Sequence, residues 1–185
     1  MRCYTVKLCR KFINQGRRGK MVPYLMITGY SDSGKTLVTR RLIALLTGKG
    51  YRVAAVKHAH EGYDVDTPGK DSWHFFHKGA REVVVAGPES YTIHRRTETE
   101  PDLDELLTII RDADIILVEG FKNHPGPKIQ VFRQGYSSDK LPLTPEVIAA
   151  VAEPKTVEGV PCFGFDELEK LTELIIEQLL KTRTE

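Results

Sequence analysis

Residues 29–36 run Gly29-Tyr30-Ser31-Asp32-Ser33-Gly34-Lys35-Thr36, satisfying every fixed position of G-x-x-x-x-G-K-[ST], the phosphate-binding P-loop. The flanks give the motif its physical context. Val22 to Thr28 is apolar and β-prone, as a buried parallel strand requires. Leu37 to Thr47 carries Val38, Leu42 and Leu45 at helical spacing and is followed by Gly48, a stop signal. A strand, a glycine turn and a helix start would aim the backbone N–H groups of residues 30–35 at a phosphate, assisted by the positive end of the helix dipole. Lys35 would reach the β/γ-phosphates, and the Thr36 hydroxyl would ligate Mg²⁺.

The rest of the chain alternates strand and helix signals. Strands are expected at 52–57, 82–86, 91–95, 114–120, 128–133 and 147–152, and helices at 71–78, 99–111 and 166–181. In the last helix Asp166 and Glu169 have capping-box spacing. Ser137 to Pro145 is expected to be loop. This order predicts an α/β fold, P-loop NTPase-like, with a mainly parallel sheet flanked by helices and some additional antiparallel strands. At 185 residues the chain can bury one substantial core.

Charge divides the chain unevenly. The formal net charge is +2, but residues 1–20 hold seven Lys/Arg and no acid, which leaves 20 basic against 25 acidic residues in the remainder. A body of that sign argues against a nucleic-acid partner. Residues 1–20 are expected to be a basic extension outside the fold, with Met21 the natural initiator, and 21–185 the domain. No apolar run approaches the ~20 residues of a membrane helix. Three cysteines without metal-ligand spacing point to a reducing cytoplasm.

Chemistry needs more than the loop. Mg²⁺ binds through few protein oxygens, so Thr36 requires a carboxylate partner. Asp114-Ile115-Ile116-Leu117-Val118-Glu119 has four consecutive aliphatics ending in an acid, the form of a Walker B strand. Glu119 is therefore the first candidate for the metal. Asp64 and Asp66, two apart in a long polar loop, share a face in extended chain, and Asp66 is the second candidate. His58 and His60 have the same spacing; with Asp64 they could bind a transition metal, but no third close-spaced His or Cys supports that, and hydrogen bonding to phosphates or to the loop is the role expected of His58. Lys70 and Lys122 are extra cations for anionic ligand groups or, equally, solvated lysines. No Asn-Lys-x-Asp guanine signature occurs, so the residues alone leave the base and the reaction open.

Three blocks carry a family resemblance: VKHAHEGYDVDTPGKDS at 56–72, ILVEGFK at 116–122 and KIQVFRQG at 128–135. With the P-loop and the order of elements, the chain from about 22 to 181 resembles MobB, the molybdopterin-guanine dinucleotide biosynthesis protein B family. Asp32 departs from the small or hydroxyl residue expected there, and Leu37 from a second threonine. The resemblance implies a GTP-binding protein with slow GTPase activity and Mg²⁺. It would assist attachment of GMP to molybdopterin as adaptor to the molybdopterin guanylyltransferase (MobA-type), with molybdopterin-carrying proteins as further partners, and would be a homodimer. Carried over by position, Gly29 to Thr36 match the phosphate loop, Glu119 the Walker B acid, and Asp64, Asp66, Gly69 and Lys70 the family-specific block. Lys35, Glu119 and Asp66 are then the catalytic candidates, and Thr36, Glu119 and Asp66 the metal ligands. A small-molecule P-loop kinase and a non-catalytic nucleotide-dependent scaffold remain the alternatives.

The base must lie beyond the C-terminal end of a late strand, because the phosphates fix the other end of the nucleotide at the P-loop. Val147 to Ala152 is such a strand and is followed by Glu153. One carboxylate accepts both N1–H and N2–H₂ of guanine, whereas adenine has no such donor pair, so Glu153 is the candidate guanine reader. The alternative is a solvated turn acid before Pro154.

Overall fold

The computed structural model describes residues 13–15, 21–135 and 142–181. The chain divides into two compact units, one of Met1–His58 with Leu103–Glu185 and one of Ala59–Asp102.

The larger unit is built on a seven-stranded sheet. Its strands are β1 (Ile13–Gln15), β2 (Met21–Thr28), β3 (Val53–Lys57), β6 (Ile115–Glu119), β7 (Lys128–Arg133), β8 (Val147–Glu153) and β9 (Cys162–Phe163); β4 (Glu82–Ala86) and β5 (Tyr91–Arg95) belong to the other unit. Six of the seven are parallel in the order β3-β6-β2-β7-β8-β9, and β1 pairs antiparallel with Met21–Pro23 at the start of β2. Ile13–Gln15 lies within the twenty residues expected to precede the domain; the rest of that stretch is outside the described residues, as is 137–141 of the expected 137–145 loop.

Period-two alternation assigns the two faces. Along β2, Leu25 and Ile27 pack with Val38, Leu42 and Leu46 of α1 (Lys35–Gly48) and with Leu168, Leu171 and Ile175 of α4 (Leu168–Ile175). Val22, Tyr24 and Met26 point the other way, onto Leu103 and Leu107 of α3 (Leu103–Ile109). β6 divides likewise, Ile115 and Leu117 to the first layer, Ile116 and Val118 to the second. All five residues of β6 are buried, which explains why they form an unbroken apolar run rather than an alternating one. Truncating a fully buried leucine such as Leu42 or Leu171 to alanine would cost about 2–5 kcal/mol.

Two expected helices are corrected. The one placed at 99–111 occupies only Leu103–Ile109. Pro101 holds its predecessor in extended chain, and past Ile109 the chain turns so that Asp112 and Asp114 grip Arg52, with Arg52 Nη2 2.8 Å from Asp114 Oδ1. The Asp166/Glu169 capping box does not form: the N-cap is Glu167, and no side chain caps the helix. The Glu167 carboxylate instead accepts the Gly164 N–H at 3.0 Å and the ammonium groups of Lys155 and Lys170 at 2.6 and 2.8 Å. The same helix ends in a π-helical turn, Ile176–Leu180, and β9 was not anticipated.

The smaller unit pairs β4 (Glu82–Ala86) with β5 (Tyr91–Arg95) antiparallel and adds α2 (Asp71–His77). Aromatic–histidine stacking holds it: Phe76 lies 3.5 Å from His94 between ring centroids, and Trp73 lies 3.8 Å from His77. Arg96 covers the other side of Phe76 at 4.0 Å and donates to its carbonyl at 2.6 Å. The expected architecture, a mainly parallel sheet flanked by helices plus antiparallel strands, is the one observed.

Candidate functional site

The loop 29–34 leaves the C-terminal end of β2 and enters α1 at Lys35, two residues earlier than the apolar periodicity suggested. Two of its glycines are fixed by their neighbours. A Cβ on Gly29 would fall inside the contact radius of the Val131 carbonyl oxygen on β7. Gly34 has φ +95°, and a Cβ there would sit 2.8 Å from Cε1 of Phe165. Asp32 occupies the left-handed region at φ +59°, which aspartate tolerates better than most residues. Its side chain is exposed, so the departure from a small residue is absorbed at the surface.

At the mouth of the loop, Thr36 Oγ1 donates to Glu119 Oε1 at 2.8 Å, joining the first turn of α1 to the end of β6. Register explains the meeting. Glu119 stands opposite Ile27 of β2 and opposite Lys57 of β3, so the strand after the apolar run delivers its acid beside the loop that β2 begins. Lys57 Nζ lies 3.5 Å from the same Oε1. Lys35 is folded onto its own loop, its ammonium donating to the Tyr30 carbonyl. Burial holds Lys35 below the usual lysine range; Glu119 and Asp32 oppose that shift, while Lys57 and Lys122 reinforce it. Lys122 Nζ lies 5.7 Å above the Tyr30 ring. Ser33 is fully buried, and its hydroxyl has no hydrogen-bond partner among the described residues.

These features fit a metal-bound nucleotide. The Ser33 hydroxyl and the ammonium groups suit phosphate oxygens, and a hydroxyl beside a carboxylate is a hard-oxygen pair of the kind Mg²⁺ takes.

The remaining candidates fall in three places. His58 follows β3, donates its N–H to the Glu119 carbonyl at 2.9 Å and stacks on Phe121 with centroids 4.4 Å apart. Glu153 ends β8, exposed, with Oε2 3.1 Å from Arg133 Nε at the end of β7. Strands β7 and β8 lie on the opposite side of β2 from β6, so Glu119 and Glu153 flank the loop from two sides. Asp66 and Lys70 belong to the smaller unit. Asp66 Oδ1 there accepts the Thr67 N–H at 2.8 Å, and Lys70 is the N-cap residue of α2. Lys57, Phe121 and Phe165 escaped sequence reasoning. The one available signal was that Lys57, like Glu119, is a polar residue closing an apolar strand.

Comparison with known proteins identifies the family. The family model described as MobB, "Molybdopterin guanine dinucleotide synthesis protein B", matches residues 24–153. The molybdopterin-guanine dinucleotide biosynthesis adapter protein of Escherichia coli (strain K12) is 33% identical over 167 residues, covering 87% of this chain and 95% of that protein. Its counterpart from Haemophilus influenzae is 41% identical over 133 residues, covering 71% and 74%. Among solved structures, a crystal structure of molybdopterin-guanine biosynthesis protein B superposes with TM-score 0.65 at 30% identity, covering 83% of this chain and 98% of that one. Bacillus subtilis MobB gives TM-score 0.67 at 25% identity, covering 85% and 98%. With its family model spanning the loop, the Glu119 strand and β8, and with the Escherichia coli relative matched over 95% of its length, the chain belongs to the MobB family.

Proposed function

We propose that this chain binds GTP with Mg²⁺ at the 29–36 loop, hydrolyses it slowly to GDP and phosphate, and serves as an adapter in molybdopterin-guanine dinucleotide biosynthesis. The observation that carries the nucleotide reading is the 2.8 Å contact between Thr36 and Glu119 at the mouth of a glycine-constrained loop. Backbone N–H groups of residues 30–35 and the Lys35 ammonium would hold the phosphates, while Thr36 and Glu119 would hold the metal. Bound there, Mg²⁺ supplies charge neutralisation at the β- and γ-phosphate oxygens. Asp66 remains the second proposed acid, and His58 and Lys70 the proposed phosphate contacts.

The side chains at hand support slow turnover. The arginine pair Arg95-Arg96 is engaged inside the smaller unit, Arg95 with Glu82 and Arg96 with Phe76 and the Ala80 carbonyl. An arginine finger accelerates such hydrolysis by about 10³–10⁵. The adapter role rests on the names of the relatives, and its proposed partner is the guanylyltransferase that joins GMP to molybdopterin. A homodimer is part of the same proposal. One face of the β4–β5 pair carries Val84, Ile93 and Tyr91 at 57, 48 and 70% exposure, an apolar strip that suits a second copy.

Phosphate release with GTP and with ATP, each with and without molybdopterin and the guanylyltransferase, tests the activity. The expected result is slow, acceptor-independent GTP hydrolysis. Acceptor-dependent transfer would make the chain a kinase, and binding without turnover would make it a scaffold. Sedimentation of the full chain tests the dimer.

A further inference from the structure

The lysine that ends β3 lies outside the P-loop motif, yet its ammonium shares a carboxylate with that motif. Lys57 stands opposite Glu119 in the ladder of β3 and β6. Its Nζ is 3.5 Å from Oε1, the oxygen that accepts the Thr36 hydroxyl at 2.8 Å. The lysine side chain is 63% exposed and the glutamate's 11%, so the ammonium reaches from the solvent side onto a buried acid.

The end of this strand is held in place. The next residue, His58, donates its N–H to the Glu119 carbonyl at 2.9 Å, and its ring stacks on Phe121 with an interplanar angle of 20°. In the sheet, β3 lies beyond β6, away from β7 and β8. Lys57 therefore approaches the loop from the side of Thr36 and Glu119, where the terminal phosphate and its metal would sit, and not from the side of Glu153.

Lys57 is also electrostatically part of the loop. Lys35 feels both Lys57 and Lys122, and each disfavours its charge. The Glu119 and Asp32 carboxylates act on Lys35 more strongly than either neighbouring lysine, so the loop gathers three ammonium groups around two acids. A polyanion lying among the three ammonium groups would be attracted by each of them.

We propose that Lys57 is a triphosphate-reading residue: its ammonium, positioned by Glu119, binds the terminal phosphate of the nucleotide and supplies from β3 a charge that other P-loop proteins draw from an arginine. The inference rests on the nucleotide reading above. The competing account is an exposed salt bridge of little consequence, and the two differ in what they predict for triphosphate against diphosphate.

The test is equilibrium binding of a non-hydrolysable GTP analogue and of GDP, at fixed Mg²⁺, to the full chain and to Lys57→Met, which keeps the alkyl stem and removes the charge. The analogue should bind roughly tenfold more weakly to Lys57→Met, as expected for one lost charge-assisted hydrogen bond. GDP should stay within about twofold, and Lys57→Arg should recover most of the loss. Lys57→Gln gives the same reading if the methionine variant folds poorly. Unchanged analogue affinity overturns the proposal, as does an equal loss for analogue and GDP. If the unaltered chain binds neither nucleotide, the nucleotide reading itself falls, and this inference with it.

Discussion

Thr36 and Glu119 lie 83 positions apart in the chain and meet in a 2.8 Å hydrogen bond. The contact follows from topology: β6 is the immediate parallel neighbour of β2, so an acid at the end of one strand faces the helix launched from the other. Glu119→Gln preserves an oxygen for the Thr36 hydroxyl but removes the negative charge. Nucleotide binding should remain measurable, while hydrolysis falls by roughly ten- to a hundredfold and loses its Mg²⁺ dependence. Phosphate release across a Mg²⁺ titration checks this. Normal Mg²⁺-dependent turnover would transfer the role to another acid, Asp66 first.

Lys35→Ala removes the ammonium that now rests on the Tyr30 carbonyl. A charge-assisted hydrogen bond to phosphate contributes about 1.5–3 kcal/mol, so nucleotide affinity should fall by roughly ten- to a hundredfold. Titration calorimetry on a folded variant reads the loss directly. An unchanged dissociation constant would end the phosphate-loop assignment.

Gly34 adopts φ +95° with the Phe165 ring 2.8 Å from where a Cβ would stand. Gly34→Ala should cost about 1–2 kcal/mol for the left-handed backbone alone, with displacement of the ring in addition. For a chain of this length that lowers Tm by roughly 2–8 °C. Adding Phe165→Ala should relieve the steric share of the penalty and leave the backbone share. Thermal melts of the two variants beside Phe165→Ala alone separate the terms; a Gly34→Ala melt equal to that of the unaltered chain would refute the account.

The parts of the fold that local chemistry determines were legible. The buried strand 115–119, the turn glycines and the helix after Lys35 each follow from side chains within a few residues, and all were placed correctly or within two positions. Whatever depends on register between distant strands was not. Lys57 reaches Glu119 only because β3 lies beside β6, and nothing in residues 53–57 states which strand will be the neighbour. Phe165 meets Gly34 for a similar reason: it lies between β9, two residues long, and the first turn of α4. The capping box failed because a nearby carboxylate with better partners took the position, Glu167 drawing Lys155, Lys170 and the Gly164 N–H. That competition lowers Glu167 to about 2, with Lys155 the largest cause, then Lys170.

The opposite end of the sheet carries a buried ion pair whose pH dependence has a definite sign. Lys128 Nζ lies 3.0 Å from Glu146 Oε2, with the lysine side chain 8% and the glutamate 26% exposed. Lys128 is the main cause that holds Glu146 below the ordinary 4.5, with Thr144 and the Gly126 N–H helping against burial. A carboxylate lowered in the folded chain stabilises it above the ordinary value, and that contribution disappears as the pH falls below it. Glu146→Gln should therefore cost about 1–3 kcal/mol at pH 7. The difference should shrink as the pH drops below about 4.5, where the glutamate of the unfolded chain becomes neutral, and vanish once the pH lies below the lowered value of the folded chain. Urea unfolding at several pH values tests this; a difference independent of pH would show that packing, not charge, is responsible.

The last prediction concerns the choice of guanine. Glu153 ends β8 on the far side of the loop from Glu119, and Arg133 Nε holds its Oε2 at 3.1 Å. Arg133 in turn lies 5.6 Å from the ring of Phe165, the side chain packed on Gly34, so carboxylate, guanidinium and loop form one continuous surface. We propose that guanine's N1–H and N2–H₂ groups bind this carboxylate, with Arg133 keeping it oriented. Adenine presents no such donor pair and would leave the acid facing a base that cannot satisfy it. Glu153→Ala should then lower GTP affinity by roughly tenfold or more and leave ATP affinity nearly unchanged, collapsing the preference. Arg133→Ala should weaken GTP binding by a smaller factor, because the carboxylate survives without its tether. Paired GTP and ATP titrations on both variants decide the matter: a guanine preference that persists intact in Glu153→Ala removes the glutamate from the base site and assigns specificity to backbone groups of the adjoining loop.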